Sequence, residues 1–324
     1  MAAADDAVVA FADFWRLVDF LVEQEPFRQN TFLIIDKMVE LEWRRPTTGL
    51  VDEVLHSIFF LGKINTLPFS PQDILSDDLL LNTFKDQYPR PFDLYSSEVP
   101  RRSPFSCVLD MFVNEHGRNN EGAIRQQLKD FIRTLRGDNK KKPLVSTAIC
   151  VSQSNPPGSD RYYGVSISAN SPLARKILIG ASCLRNWERY VPDAVMTFYP
   201  GVNENKYFDG TIRVPENVRC ETFDLYDGSL KPPCKACREL FGLTGGATED
   251  INKNVPHGNC AEAESLSNLF RRETTVRDQA KPRSEKYTEV NRSKAEESVR
   301  KMLQIFLSSP NVFTRWRDGF YTPQ

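Results

Sequence analysis

The chain has 324 residues, a formal net charge of −1 at pH 7, and 40% apolar, 26% charged and 11% aromatic residues. Those proportions describe a folded protein with room for two domains and exclude a disordered or low-complexity one. Charge balance excludes an overall electrostatic grip on nucleic acid and leaves only a local basic patch; no apolar run is long enough to span a bilayer, so no membrane partner is expected.

From Asp6 to about Trp43 apolar residues recur at helical spacing, Val9, Phe11, Phe14, Trp15 and Val18, then Phe32, Leu33, Ile35, Met38 and Leu41, with Pro26 separating two helices. Further helices are predicted over Leu50–Leu61, Gln72–Phe84, Ser106–Glu115 and Gly122–Leu135. The Pro-rich segment Tyr88–Pro104 reads as an irregular connection. His56 falls among Val54, Leu55, Ile58 and Phe59, the setting of a core histidine more than of a ligand. The polar run from Gly137 to Pro143 breaks the helical pattern, so 1–138 is taken as a helical N-terminal region and 139–324 as an α/β domain.

Past that boundary, Leu144–Ser152 and Tyr162–Ser168 are β-rich runs joined by a loop containing Pro156, Pro157 and Gly158, the pattern of a hairpin. A helix is predicted from Pro172 to about Tyr190, strands at Ala194–Tyr199, Thr211–Val214 and Cys220–Leu225, an exposed linker over Thr274–Glu289, and a last helix over Lys294–Leu307. The tail places Trp316 between Arg315 and Arg317. Such a group can stack on bases, but covering apolar surface is its commoner use. The cysteine count of seven is odd, and Cys107, Cys150, Cys183 and Cys220 stand singly in apolar or strand-like contexts, as core thiols of a reducing compartment do. With acidic residues in place of a basic presequence at the N-terminus, the expected location is cytoplasmic or nuclear.

The chemistry-bearing stretch is Lys231–Phe270. Cys234 and Cys237 form a C-x-x-C behind two prolines, where Pro233 can open a helix and both thiols would lie in its first turn, near N–H groups that favour thiolate. His257 and Cys260 stand immediately before Ala261-Glu262-Ala263-Glu264, a second helix start. Thiolate and imidazole at these spacings suit tetrahedral zinc, so Cys234, Cys237, His257 and Cys260 are the candidate ligands and Zn2+ the expected cofactor. The same residues also admit a blander reading, in which the cysteines are small buried hydrophobes or a disulfide and His257 is a loop residue.

Pro-Cys-x-x-Cys together with Cys-Ala-Glu at helix starts resembles the zinc-dependent cytidine deaminase superfamily. That resemblance implies a deaminase-like α/β/α sandwich behind the helical region, with Cys260, Cys234 and Cys237 as the three ligands and Glu262 as the catalytic general acid/base. It implies a cytosine- or adenine-type base as substrate, carried on a nucleoside, nucleotide or single-stranded nucleic acid. In the family's usual order the x-A-E motif precedes P-C-x-x-C, whereas here Cys260-Ala261-Glu262 follows it. If His257 closes the coordination instead, a Cys3His site would staple a non-catalytic protein-interaction module, with the helical N-terminal region available to a protein partner. Glu264 is the rival general base.

Overall fold

The computed structural model describes residues 25–137, 142–154, 158–169, 171–201, 205–245, 255–308, 312–313 and 316–324. The first predicted helix, the polar boundary at 138–141 and most of the glycine loop that follows Gly245 lie outside them. The architecture is mixed α/β, with many helices around one four-stranded antiparallel sheet.

In the N-terminal half, α1 covers 25–44 and α2 covers Leu50–Lys63. Every residue of α2 from Val51 to Gly62 is buried, so this is a central helix, apolar nearly all round. The single helix predicted over Gln72–Phe84 is two, α3 (Pro71–Leu75) and α4 (Asp78–Gln87). Ser76 between them has φ 48°, and each helix carries its own cap, Ser70 in a capping box with Asp73 and Asp77 accepting from the Leu80 N–H. The segment predicted to be irregular holds α5 (Pro89–Leu94), started by Pro89 at N1. Next come α6 (Pro104–His116) and α7 (Glu121–Thr134).

The sheet consists of β1 (Ala148–Ser154), β2 (Tyr162–Val165), β3 (Val218–Asp224) and β4 (Leu230–Lys231) in the order β2-β1-β3-β4. The register pairs Cys150 with Gly164 on one side and Thr222 on the other, and Ser152 with Cys220. Alternation along the strands therefore puts Ala148, Cys150, Ser152, Cys220, Thr222 and Gly164 on one face. Ile149, Val151, Arg219 and Phe223 occupy the other, where Arg125 and Glu121 of α7 meet Phe223 and Arg219.

Between β2 and β3 run α8 (Pro172–Arg185), capped by Ser171, and α9 (Tyr190–Met196). The strand predicted at Ala194–Tyr199 is thus corrected. A short, fully buried apolar run has the same pattern as a strand or a core helix, and here Pro192 sits in a helical first turn while the buried Asp193 anchors Arg292 and Tyr287. The predicted strand Thr211–Val214 is extended but unpaired with the sheet; its Ile212 and Val214 N–H groups satisfy the terminal carbonyls of Leu240 and Phe241. After β4 come α10 (Lys235–Phe241), α11 (Ala261–Arg272), α12 (Thr274–Gln279) within the predicted linker, and α13 (Glu289–Leu307), which starts earlier than expected because Thr288 caps it.

One contiguous core cluster runs from Phe27 to Trp316 and includes residues on both sides of the 138/139 boundary. Trp316 is buried, with its indole N–H on the Gly319 carbonyl, so its ring covers core. Among the described residues no helix is long and apolar enough to cross a membrane.

Candidate metal centre

Two helix starts meet beside the sheet. Cys234 is the N-cap residue of α10 and Cys260 that of α11, both with extended backbone, at φ −71°, ψ 171° and φ −80°, ψ 154°. Cys237 lies at the third position of α10 and is fully buried. The expectation that Pro233 opens the helix is corrected by two residues: Lys235 is the first helical residue, Cys234 is the cap, and Pro233 stands outside it. Pro-Pro restricts the chain to extended conformation up to the cysteine, which is what a cap requires.

What holds α11 in place is its contact with the sheet. Ala261 packs on Ala148 and Cys150, and Ser265 donates to the Ser152 hydroxyl or the Tyr162 carbonyl. Gly164 makes the approach possible, since a Cβ there would lie 2.2 Å from the Ser265 nitrogen and 2.5 Å from the Ala261 oxygen. The turn before the helix needs Gly258, with φ 87°, a region that L-residues rarely occupy.

The Sγ atoms of Cys234, Cys237 and Cys260 all lie within 4.8 Å of one another, and those of Cys234 and Cys260 are 3.4 Å apart. Tetrahedral zinc with bonds near 2.3 Å separates its ligand sulfurs by about 3.8 Å, which these spacings bracket. The donor set is chemically apt as well: three soft thiols at two positive helix ends can hold a metal ion. All seven cysteines are free thiols.

Proton sharing within the trio is asymmetric. The Cys234 thiol is pulled far below its ordinary range, chiefly because the Cys237 and Cys260 thiols hydrogen-bond to it and also because first-turn N–H groups of α10 face it. The same contacts push Cys237 and Cys260 upward, and burial adds to both.

Glu262, at the second position of α11, is buried on the sheet side. Burial raises its pKa above the usual carboxylate range, and the Cys234 charge adds to the rise; its own backbone N–H, Thr222 and Cys237 act in the opposite direction. A carboxyl group therefore stands against the cysteine trio with a reason to keep a proton. Glu264 points elsewhere, accepting from the Val165 N–H at 2.9 Å.

His257 is not in the sulfur group. Its Nε2 is 2.8 Å from Glu239 Oε2, and its ring stacks on Phe198 at 4.0 Å with planes 2° apart. The sequence put His257 among the ligands from its position in H-x-x-C. It gave no sign of Glu239, which reaches the ring from α10 because both helix starts share this corner of the fold. Two further sulfurs were read only as core: Cys150 and Cys220 lie 3.6 Å apart on the sheet face beneath α11. Their alternation with Thr222 was visible, but the strand register that joins them was not. In comparisons with family models, curated proteins and solved structures, nothing matches this chain, and its function is argued from the geometry above.

Proposed function

We propose that the chain is a zinc-dependent hydrolytic deaminase-like protein that acts on a cytosine- or adenine-type base. The observation that supports this reading is the placement of one buried carboxyl, Glu262, against three convergent thiols, Cys234, Cys237 and Cys260. Cys234, Cys237 and Cys260 would hold the zinc, which would supply Lewis-acid activation of a water. The rest of the chemistry belongs to the chain: Glu262 carries one proton of the attacking water to the ring nitrogen and then the proton of the added hydroxyl to the departing amine, leaving a carbonyl. Water adds to the amidine-type carbon, the C–N bond breaks, and ammonia leaves. The raised pKa of Glu262 suits that task, because a carboxylate with increased affinity for a proton is a better acceptor from water.

The three-thiol arrangement is favoured over a closed Cys3His staple because the potential ligand atoms that lie within 4.8 Å of one another are the sulfurs of Cys234, Cys237 and Cys260, without a ring nitrogen of His257. The deciding experiment is Glu262→Gln. Ammonia release from cytidine, adenosine or their nucleotides should fall at least about a hundredfold with metal content retained. Equal rates in the two proteins would remove Glu262 as the proton carrier.

A further inference from the structure

A cleft of about 710 Å³ opens beside α10, between the 209–213 segment and the 281–284 segment. Its volume lies in the range of small-molecule sites, roughly 300–1,000 Å³. Four cations line it, Arg213, Arg238, Lys281 and Arg283, against two carboxylates, Asp209 and Glu239. Both carboxylates are engaged: Asp209 accepts from the Thr211 N–H and hydroxyl, and Glu239 faces His257 and Lys235. Arg238 is held in position by donating to the Pro233 and Gly245 carbonyls. Among the described residues, Arg213, Lys281 and Arg283 pair with no carboxylate, and all three are exposed. A chain of net charge −1 thus gathers unneutralised positive charge in one concave place.

We propose that this cleft is an anion site that holds the phosphoryl group of a small phosphorylated ligand. Where the deaminase reading above holds, on which this identification of the ligand rests, that ligand is a nucleoside phosphate. Guanidinium and ammonium groups left without carboxylate partners are the chemistry that phosphate oxygens select. The position fits, because Arg238 is one helical turn, about 6 Å of rise, beyond Cys234. A base at the sulfur trio and a phosphate in the cleft would therefore lie along one side of α10. A polymer is disfavoured by the same charge count, since a backbone of phosphates needs a longer basic track than four side chains in one cleft.

The test titrates inorganic pyrophosphate, CMP and cytidine calorimetrically into the full chain as purified and into the double variant Lys281→Gln/Arg283→Gln, with Arg213→Gln as a second variant should the first not fold. Pyrophosphate is expected to bind the wild type and to bind the variant about tenfold or more weakly; CMP should exceed cytidine by a similar factor in the wild type only. A wild type that ignores pyrophosphate, or a variant that binds it unchanged, overturns the proposal. So does a short single-stranded oligonucleotide without a terminal phosphate that binds more tightly than CMP. Pyrophosphate binding that persists in a protein releasing no ammonia would leave the anion site standing and remove the deaminase reading alone.

Discussion

Cys234 and Cys260 bring their sulfurs to 3.4 Å across 26 residues of chain, each as the cap of its own helix. A contact between two caps is unusual in what it demands: both helices must start at the same point, and neither can shift by a residue without losing it. The relationship therefore has a direct chemical consequence. The purified chain should carry about one metal ion, and Cys234→Ser or Cys260→Ser should bring the metal content close to zero. Cys150→Ser, whose sulfur belongs to the Cys220 pair, should leave it unchanged. A chelator should lower the melting temperature of the wild type by roughly 3–6 °C and that of Cys234→Ser hardly at all. Elemental analysis and thermal scans with and without chelator make the comparison.

The partner of His257 leads to a prediction that separates the two coordination schemes. His257→Gln removes the ring that stacks on Phe198 and meets Glu239. Metal stoichiometry and affinity are expected to stay within about twofold of wild type, while stability falls by roughly 1–2 kcal/mol from the lost stack and hydrogen bond. A tenfold or greater loss of metal affinity would restore the histidine as a fourth ligand. The measurement is competition with a chromophoric chelator alongside urea unfolding.

The approach of α11 to the sheet can be tested at a single atom. Gly164→Ala inserts a methyl group where two backbone atoms of α11 lie within 2.5 Å, so either the helix or β2 must move. A destabilisation of roughly 3 kcal/mol or more is expected, with weaker metal binding because the Cys260 cap travels with the helix. Ala at Gly122, where an added Cβ meets nothing within 4 Å, serves as the control and should cost little or gain slightly. Should Gly164→Ala unfold at the same denaturant concentration as wild type, the close packing described here is wrong.

Which parts of this were visible in the residues themselves follows from the range of the interactions. The two helix starts were legible because Pro-Pro-Cys and Cys-Ala-Glu are local signals, and the β1–β2 hairpin because its turn residues sit between two β-rich runs. The run Ala194–Tyr199 was not, since a fully buried element has no polar face to betray its period. Ser76 split α3 from α4 through a backbone angle that its side chain does not announce. At the centre, the sulfur trio could be guessed from spacing, whereas the Glu239–His257 contact, the Cys150–Cys220 pair and the proximity of Thr222 to Glu262 depend on register and on how α10 and α11 pack. Those are long-range consequences of the fold, and no local pattern carries them.

Glu264 supplies the remaining prediction, on stability and pH. It is buried between α11 and β2, where it accepts from the Val165 N–H, and burial above all raises its pKa to about 7, with Asp110 adding and Arg102 opposing. A carboxyl whose pKa is higher folded than unfolded binds its proton more tightly in the native state. Its contribution to stability is therefore fully present below the unfolded value of 4.5 and is lost as pH rises through about 7. Glu264→Gln keeps an acceptor for the Val165 N–H and has no proton to lose. Between pH 5 and pH 8 the wild type should lose roughly 2–3 kcal/mol relative to the variant, so that the variant gains its advantage on the alkaline side. Other titrating groups, such as His56, whose burial in the helical core holds it neutral down to about pH 3, are common to both proteins and cancel in the difference. Urea unfolding of the pair at the two pH values measures that difference, and parallel profiles would mean that Glu264 is ionised in the folded state throughout.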